Sequence, residues 1–182
     1  MLAASKTLGK ISYIGGASFG ERFMDFEVQA AIELLQPSGS GSSSTFSSSS
    51  SSAASDTSRY AGVLILKELA RNNPIYFHSH IGLVFEKILI PIRDPRVIVR
   101  ESAAELLAAC LAIVTQRERQ PRNNPYLLKI LADAQNGLKM AQPEIIHGSL
   151  LTYRELFLHG GMVSVILARL ISLISLTTTY SL

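Results

Sequence analysis

The chain has 182 residues, of which 47% are hydrophobic, enough for one domain core or a short helical array. Its net charge is only +3, and its basic residues are scattered without interleaved aromatic residues, which disfavours nucleic acid as a partner. The single cysteine, Cys110, excludes an internal disulfide and predicts a buried structural thiol in a reducing, cytoplasmic location.

The first 36 residues are predicted to form two helices. Residues 2–14 place Leu8 and Ile11 on an inner face, and a pair of glycines ends that helix. Residues 21–36 form the second helix, which a proline ends because it lacks the N–H that a helix interior needs. The predicted inner face of this second helix comprises Phe23, Phe26, Ala30 and Leu34.

Residues 37–58 are dominated by serine and contain almost no side chains that could be buried. Such a segment cannot offset the entropy lost on ordering, so we predict a disordered insertion. It falls between an outer helix and the next inner helix, where an array of repeats tolerates extra residues.

Four further helices are predicted around a central one. Residues 59–72 form an inner helix, and Pro74 opens the outer helix that follows, since proline fits the first turn of a helix. The inner face of that outer helix comprises Phe77, Ile81, Val84 and Ile88. Pro125 opens another outer helix, whose inner face carries Leu128, Leu131 and Leu138. Residues 144–159 form the last inner helix, and two glycines close it.

The central stretch has the most distinctive local pattern, Asp94-Pro95 followed by a helix over residues 97–114. Asp94 can accept hydrogen bonds from the free N–H groups that open this helix, and Pro95 cannot continue the preceding one. Arg100 lies in the first turn, where the helix dipole disfavours a cation. We therefore predict that Arg100 pairs with Asp94 of this turn or with the matching turn of a neighbour. The sequence thus assigns structural roles to Asp94, Pro95 and Arg100.

The central helix is apolar on two adjacent faces, which predicts packing on two sides, as for an inner helix of a stacked array. One face has Val97, Ala104, Leu107, Leu111 and Val114, and the face beside it has Ala103, Leu106, Cys110 and Ile113. Only a narrow strip through Glu101 and Glu105 is left for solvent.

Three of the predicted inner helices repeat one pattern at offsets of 41 and 46 residues. Small residues (Ala61, Ser102 and Gly148) fall at the same place in each, and large apolar residues follow. HEAT and armadillo repeats have periods of about 40–47 residues. The sequence therefore predicts an all-α, HEAT/armadillo-like helical-repeat solenoid formed by residues 1–36 and 59–160.

Residues 161–182 form an atypical hydrophobic tail, in which Arg169 interrupts an apolar run at 162–176. A membrane-spanning helix needs about 20 predominantly apolar residues, and a charge near its middle is costly. A truncated outer helix or a non-native end is therefore favoured, and membrane tethering through 162–176 is the alternative.

Few residue patterns in this chain suggest catalysis, cofactor binding or metal binding. His78 and His80, two positions apart on a helix, would point about 200° apart and could not bind one metal ion together. No glycine-rich phosphate loop follows a strand, and the catalytic motifs of protein kinases are absent from the sequence. We predict no catalytic, cofactor or metal site in this chain.

Several runs carry a resemblance to a known family: 59–70, Asp94-Pro95, Arg100-Glu-Ser-Ala103, Ala109-Cys-Leu111, Thr115-Gln-Arg-Glu118 and 146–151. Together they resemble the amino-terminal HEAT array of the target-of-rapamycin (TOR) serine/threonine kinases. The resemblance implies a scaffold segment in nutrient and growth signalling, with the kinase domain outside this chain. It further implies protein partners, either a regulatory subunit or a second copy, in the cytoplasm or at the surface of endomembranes. A HEAT-repeat adaptor unrelated to kinases is the alternative.

Overall fold

The computed structural model describes residues 1–14, 17–36, 51–118, 120, 123–161, 163 and 167, with side chains for all of these except 17, 18 and 51–56. The described residues are mostly helical and form no β-strand. In chain order the helices are α1 (Leu2–Ile14), α2 (Ala17–Leu35), α3 (Ser51–Asn72), α4 (Pro74–Phe77), α5 (Ile81–Lys87), α6 (Leu89–Ile92), α7 (Val97–Arg117), α8 (Pro125–Gly137) and α9 (Pro143–His159). A 3-10 turn, His78–His80, joins α4 to α5.

The helices pack in two layers. In the first layer α1, α3, α7 and α9 lie side by side, and in the second lie α2, the broken rod α4–α6, and α8. Each member of the second layer leads through a connection to a helix of the first, which gives three helix pairs with α1 stacked beside them. This arrangement confirms the predicted all-α helical-repeat solenoid.

Helix α7 is the centre of the core, because it packs against α3 on one side, α9 on the other and α6 behind. Both predicted apolar faces are buried, apart from Val97. That residue is 49% exposed, so its assignment to the inner face was wrong: it lies in the first turn, at the edge of the layer. The helix also continues past residue 114 to Arg117.

Helix α1 has the predicted bounds, but its buried face is displaced around the helix from the predicted one. Its buried residues are Ser5, Gly9 and Ser12, whereas Ile11 is 39% exposed and Leu8 is only half-buried. The reason is a close approach to α3, where small residues are needed. A Cβ atom on Gly9 would lie 2.9 Å from a main-chain oxygen of α3, closer than real Cβ contacts.

Helix α2 begins at Ala17, four residues before the predicted start. Its inner face was also misassigned: Phe26 is 70% exposed, and Phe23, Ala30 and Leu34 are only half-buried. The side chains that α2 buries are Met24, Val28, Ala31, Ile32 and Leu35. These aliphatic side chains thus face α3 and the α4–α6 rod, whereas Phe26 faces outward and Phe23 packs only partly against the core.

Helix α3 begins at Ser51, so residues 51–58 of the predicted disordered insertion are helical. Serine costs only about half a kcal/mol per helical position relative to alanine. Extending an already packed helix avoids the cost of nucleation, which explains why a serine run can continue it. Residues 37–50 lie outside the described residues, and their disorder stays a prediction.

The outer helix predicted to start at Pro74 is a broken rod, α4–α6. The predicted inner face is nevertheless confirmed, since Phe77, Ile81, Val84 and Ile88 are all buried. Pro91 accounts for the break between α5 and α6. It has no N–H to donate, and its ring would clash with the carbonyl of Lys87, the last residue of α5.

The last helix pair is close to its predicted bounds. Leu131 is buried on α8, whereas Leu128 and Leu138 are half-buried. Helix α9 ends at the expected pair of glycines, and Gly161 has the positive φ (62°) that favours glycine there.

Little of the hydrophobic tail is described. Of the apolar run 162–176, only Val163 and Leu167 are described, and both are helical and exposed. Among the described residues, no helix is both long enough and apolar enough to cross a membrane. The residues that would distinguish a truncated outer helix from a membrane tether lie mostly outside the described residues.

Candidate functional site

The turn between α6 and α7 is built around Asp94, which is 1% exposed. Its carboxylate pairs with the guanidinium of Arg59 on α3, and it also accepts a hydrogen bond from the main-chain N–H of Arg96 at 2.9 Å. Arg96 Nε lies 3.6 Å from the same carboxylate. One buried carboxylate therefore shapes the turn that opens α7 and links this turn to the preceding helix pair.

The predicted ion pair between Arg100 and the Asp94 carboxylate is wrong. Arg100 Nη1 instead donates to the main-chain oxygens of Asp94 (2.7 Å) and Pro95 (2.9 Å). Arg100 Nε donates to Nδ1 of His147 on α9, at 2.9 Å. The carboxylate is occupied by Arg59, so the Arg100 cation is stabilised by carbonyl dipoles and an imidazole. Asp94, Pro95 and Arg100 do meet in one turn, and their structural role stays a prediction that mutation can test.

A second charged contact between repeats lies further along α3 and α7. Lys67 is 6% exposed, and its Nζ lies 2.9 Å from Glu105 Oε2, with Arg71 Nη2 at 3.3 Å from the same oxygen. The hydrogen bond from Lys67 lowers the pKa of Glu105, although partial burial acts in the opposite direction. Sequence reasoning assigned Glu105 to solvent and missed this contact; the available signal was the pair of cations one helical turn apart on α3.

His78, His80 and Cys110 are the side chains that could in principle bind a metal ion or act as a nucleophile. His78 and His80 lie in a 3-10 turn rather than the expected α-helix, and His80 Nε2 is 3.0 Å from Asp25 Oδ1. Cys110 is fully buried, as predicted, and burial raises the pKa of its thiol, which disfavours the nucleophilic thiolate. Within the described ranges, no group of three or more His, Cys, Asp or Glu side chains could hold a metal ion.

A partly exposed aromatic patch lies on α2 and was not predicted as a site. It comprises Phe19, Phe23 and Phe26, with Arg22 beside them. The rings of Phe19 and Phe23 are stacked, with centroids 5.4 Å apart and planes 19° from parallel. The sequence signal was there: three phenylalanines recur at helical spacing, but two of them were assigned to the core.

Comparison with known proteins gives the relatives of this chain. No family model matches the sequence. The chain is 35% identical over 161 residues to serine/threonine-protein kinase tor1 of Schizosaccharomyces pombe, covering 88% of the chain. It is 30% identical over 156 residues to TOR2 of Saccharomyces cerevisiae and 32% identical over 162 residues to TOR of Arabidopsis thaliana, covering 86% and 88% of the chain. Its homologues are TOR serine/threonine kinases.

The TOR resemblance inferred from the sequence is thereby confirmed. Each alignment covers only 6% of the relative's length, so the chain corresponds to a small part of a TOR kinase. The helix pairs and their connecting contacts described above belong to that part.

Proposed function

We propose that this chain is a non-catalytic, protein-binding scaffold segment of a TOR-type serine/threonine kinase that acts in nutrient and growth signalling. The observation that most supports this proposal is that buried charged side chains connect neighbouring helix pairs. Buried or largely buried Asp94, Arg59 and Lys67 each contact a residue of a neighbouring helix pair. They connect repeats, and none is part of an acid–base pair suited to catalysis.

These contacts fix the relative position of α3 and α7. Arg59 and Lys67 are eight residues apart on α3, which corresponds to about 12 Å along a helix. Two contacts at that separation resist both sliding and rotation of one helix on the other. Together with the hydrogen bond from Arg100 to His147, they link all three helix pairs into one surface of fixed shape. A fixed surface is what a scaffold needs in order to position its partners.

The proposed partners are proteins of the parent complex, either a regulatory subunit or a second copy of the kinase, and the proposed location is the cytoplasm. The TOR homologues weigh against a HEAT adaptor unrelated to kinases.

A segment exchange tests the proposal. The aligned segment of Schizosaccharomyces pombe tor1 is replaced by this chain, and the purified chimera is assayed for phosphorylation of a peptide substrate and for co-purifying subunits. We expect the chimera to retain activity and subunits, and the same chimera carrying Gly148→Leu to lose both. The isolated chain should transfer no phosphate. A soluble, folded chimera without activity or subunits would contradict the scaffold function, as would phosphate transfer by the isolated chain.

A further inference from the structure

The contact that Arg100 of α7 makes with His147 of α9 requires an uncharged imidazole. Arg100 Nε lies 2.9 Å from Nδ1 of His147 and donates a hydrogen bond to it. An imidazole nitrogen accepts a hydrogen bond only while it carries no proton, so the single proton of His147 lies on Nε2. Protonation of Nδ1 removes the acceptor and places a second cation against the guanidinium. The contact therefore exists only in the neutral form of His147.

The Arg100 side chain is held on α7 and cannot turn away from a charged imidazole. It is 6% exposed, and its Nη1 donates to the main-chain oxygens of Asp94 and Pro95 at 2.7 Å and 2.9 Å. Both oxygens belong to the turn that opens α7, so these bonds persist whatever the charge on α9 is. The guanidinium itself stays charged, because arginine is not deprotonated in proteins. A proton on His147 thus faces a fixed cation, and α9 is the element that must move.

Among the described residues, no carboxylate lies within ion-pair distance of His147 to compensate a positive charge on it. Helix α6 approaches α9 through Ile92 at Gly148, and α8 approaches it through Gly137 at Ser149, so these close approaches are uncharged. The carboxylates on the elements around His147 and on α9 itself are Asp94, Glu101, Glu105, Asp133, Glu144 and Glu155. Besides Arg100, the groups on these elements that are or can become cations are Arg93, Arg96, Arg117, Lys129, Arg154 and His159.

Two other histidines have the opposite surroundings. His80 Nε2 lies 3.0 Å from the carboxylate of Asp25, and His159 Nε2 lies 3.6 Å from that of Glu155. Protonation adds an attraction to each of these contacts, whereas it removes the contact of His147.

We propose that Arg100 and His147 form a pH-sensitive latch between the second and third helix pairs, which opens when His147 binds a proton. Histidine is the side chain whose charge ordinarily changes between pH 5 and 8, so the latch responds to mild acidification. Opening removes the hydrogen bond between α7 and α9 and repels α9 from the fixed guanidinium. The third helix pair, α8 and α9, then packs less tightly on α7. The latch is a property of the fold and does not depend on the proposed scaffold function.

The test compares urea unfolding of the full 182-residue chain with that of its His147→Gln variant between pH 8 and pH 5.5. Glutamine keeps an oxygen that can accept from Arg100 Nε but does not titrate in this range. A histidine in an unfolded chain binds its proton near pH 6.5, so in acid the unfolded state binds more protons than the latched fold. Stability therefore falls with pH. We expect the unfolding constant of the unsubstituted chain to rise about fivefold to tenfold relative to that of His147→Gln.

The matched control is His80→Gln, which removes a histidine that lies beside a carboxylate. Relative to this variant, the unfolding constant of the unsubstituted chain should not rise on acidification. Amide hydrogen exchange, corrected for the pH dependence of the intrinsic rates, locates the change. Between pH 8 and pH 5.5, protection should fall in α9 more than in α2, and this difference should be absent in His147→Gln.

The latch is refuted if the unsubstituted chain and His147→Gln have the same pH dependence, or if the rise against His80→Gln is equally large. Equal loss of protection in α2 and α9 would also contradict it. Nitrogen-15 NMR of the imidazoles tests the latch without any substitution that could prevent folding. At pH 8 the proton of His147 should lie on Nε2, and a proton on Nδ1 would show that Arg100 does not donate to it.

Discussion

Replacing Asp94 with alanine tests the contact around which the central turn is built. The variant leaves the guanidinium of Arg59, whose side chain is 12% exposed, without its carboxylate, and the main-chain N–H of Arg96 without its acceptor. Removing one partner of a buried ion pair costs about 3–5 kcal/mol. Because Arg59 keeps some contact with water, we expect the lower end, about 3 kcal/mol. In a chain of this length that lowers Tm by about 6–12 °C.

Urea unfolding followed by circular dichroism measures this free energy, and Glu101→Ala is the matched control. Glu101 is an exposed carboxylate on α7, the helix that this turn opens, so its removal should change the free energy of unfolding by no more than about 0.5 kcal/mol. The Arg59→Ala/Asp94→Ala double variant should be more stable than the sum of the single effects by at least about 1 kcal/mol. If Asp94→Ala and Glu101→Ala are equally stable, or if the double variant is additive, the pair does not stabilise the array.

The remaining predictions concern pH, packing and the serine-rich segment. A carboxyl with a lowered pKa stabilises the fold above its unfolded pKa and loses that effect as pH falls through its folded pKa. Glu105→Gln should therefore lower the free energy of unfolding slightly at pH 7, by less than about 1 kcal/mol, and the two chains should become equally stable as pH falls through the folded pKa of Glu105. Gly148→Ala should lower Tm well below that of Gly82→Ala, because its Cβ would lie 2.1 Å from the main-chain oxygen of Ile92. Replacing residues 37–50 with a short Gly-Ser connection should leave the helical circular dichroism unchanged, since loop closure depends only weakly on length.

Helix ends were the most predictable feature of the sequence, because the residues that end helices act locally. The bounds of α1 match at both ends. The helix boundaries around Asp94-Pro95 and at Pro125 and Pro143 lie where proline and polar residues predict them. Proline and glycine change the conformations open to their own and adjacent residues whatever the tertiary contacts are. The start of α3 was missed for the opposite reason: serine permits a helix that only its packed continuation stabilises.

The inward faces of α1 and α2 could not be read from the positions of large apolar residues. In a solenoid each helix touches several neighbours, and the closest contact requires small residues rather than large ones. Gly9 on α1 and Gly62 on α3 mark such contacts; a Cβ on Gly62 would lie 2.6 Å from the main-chain oxygen of Ala31 on α2. Phe26 then falls on the opposite side of α2 from Ala31 and Leu35. On α1, the small residues Ser5, Gly9 and Ser12 recur at helical spacing and would have indicated the correct face.

The sequence also indicates that Arg100 has no carboxylate partner in the following turn. Arg59 and Arg100 align at the offset of 41 residues, and Arg59 pairs with Asp94 in the turn of the following repeat. At the next offset, 46 residues, the position equivalent to Asp94 is Met140, which has no charge to offer. Arg100 could not repeat the contact of Arg59, and it uses turn carbonyls and His147 instead.

The charged contacts contribute more to the register of the array than to its net stability. The Coulombic gain of a buried ion pair roughly offsets its desolvation, so apolar burial around α7 supplies most of the folding free energy. Apolar faces alone would tolerate a slip of α3 along α7 by one turn, about 5.4 Å, because leucine and isoleucine recur at helical spacing. Such a slip would separate Arg59 from Asp94 and Lys67 from Glu105 together, so the buried charges of Asp94 and Lys67 would lose these partners. The energetic penalty therefore falls on misregistered packings, and the proposed scaffold function, in which partners bind a surface of fixed shape, depends on excluding them.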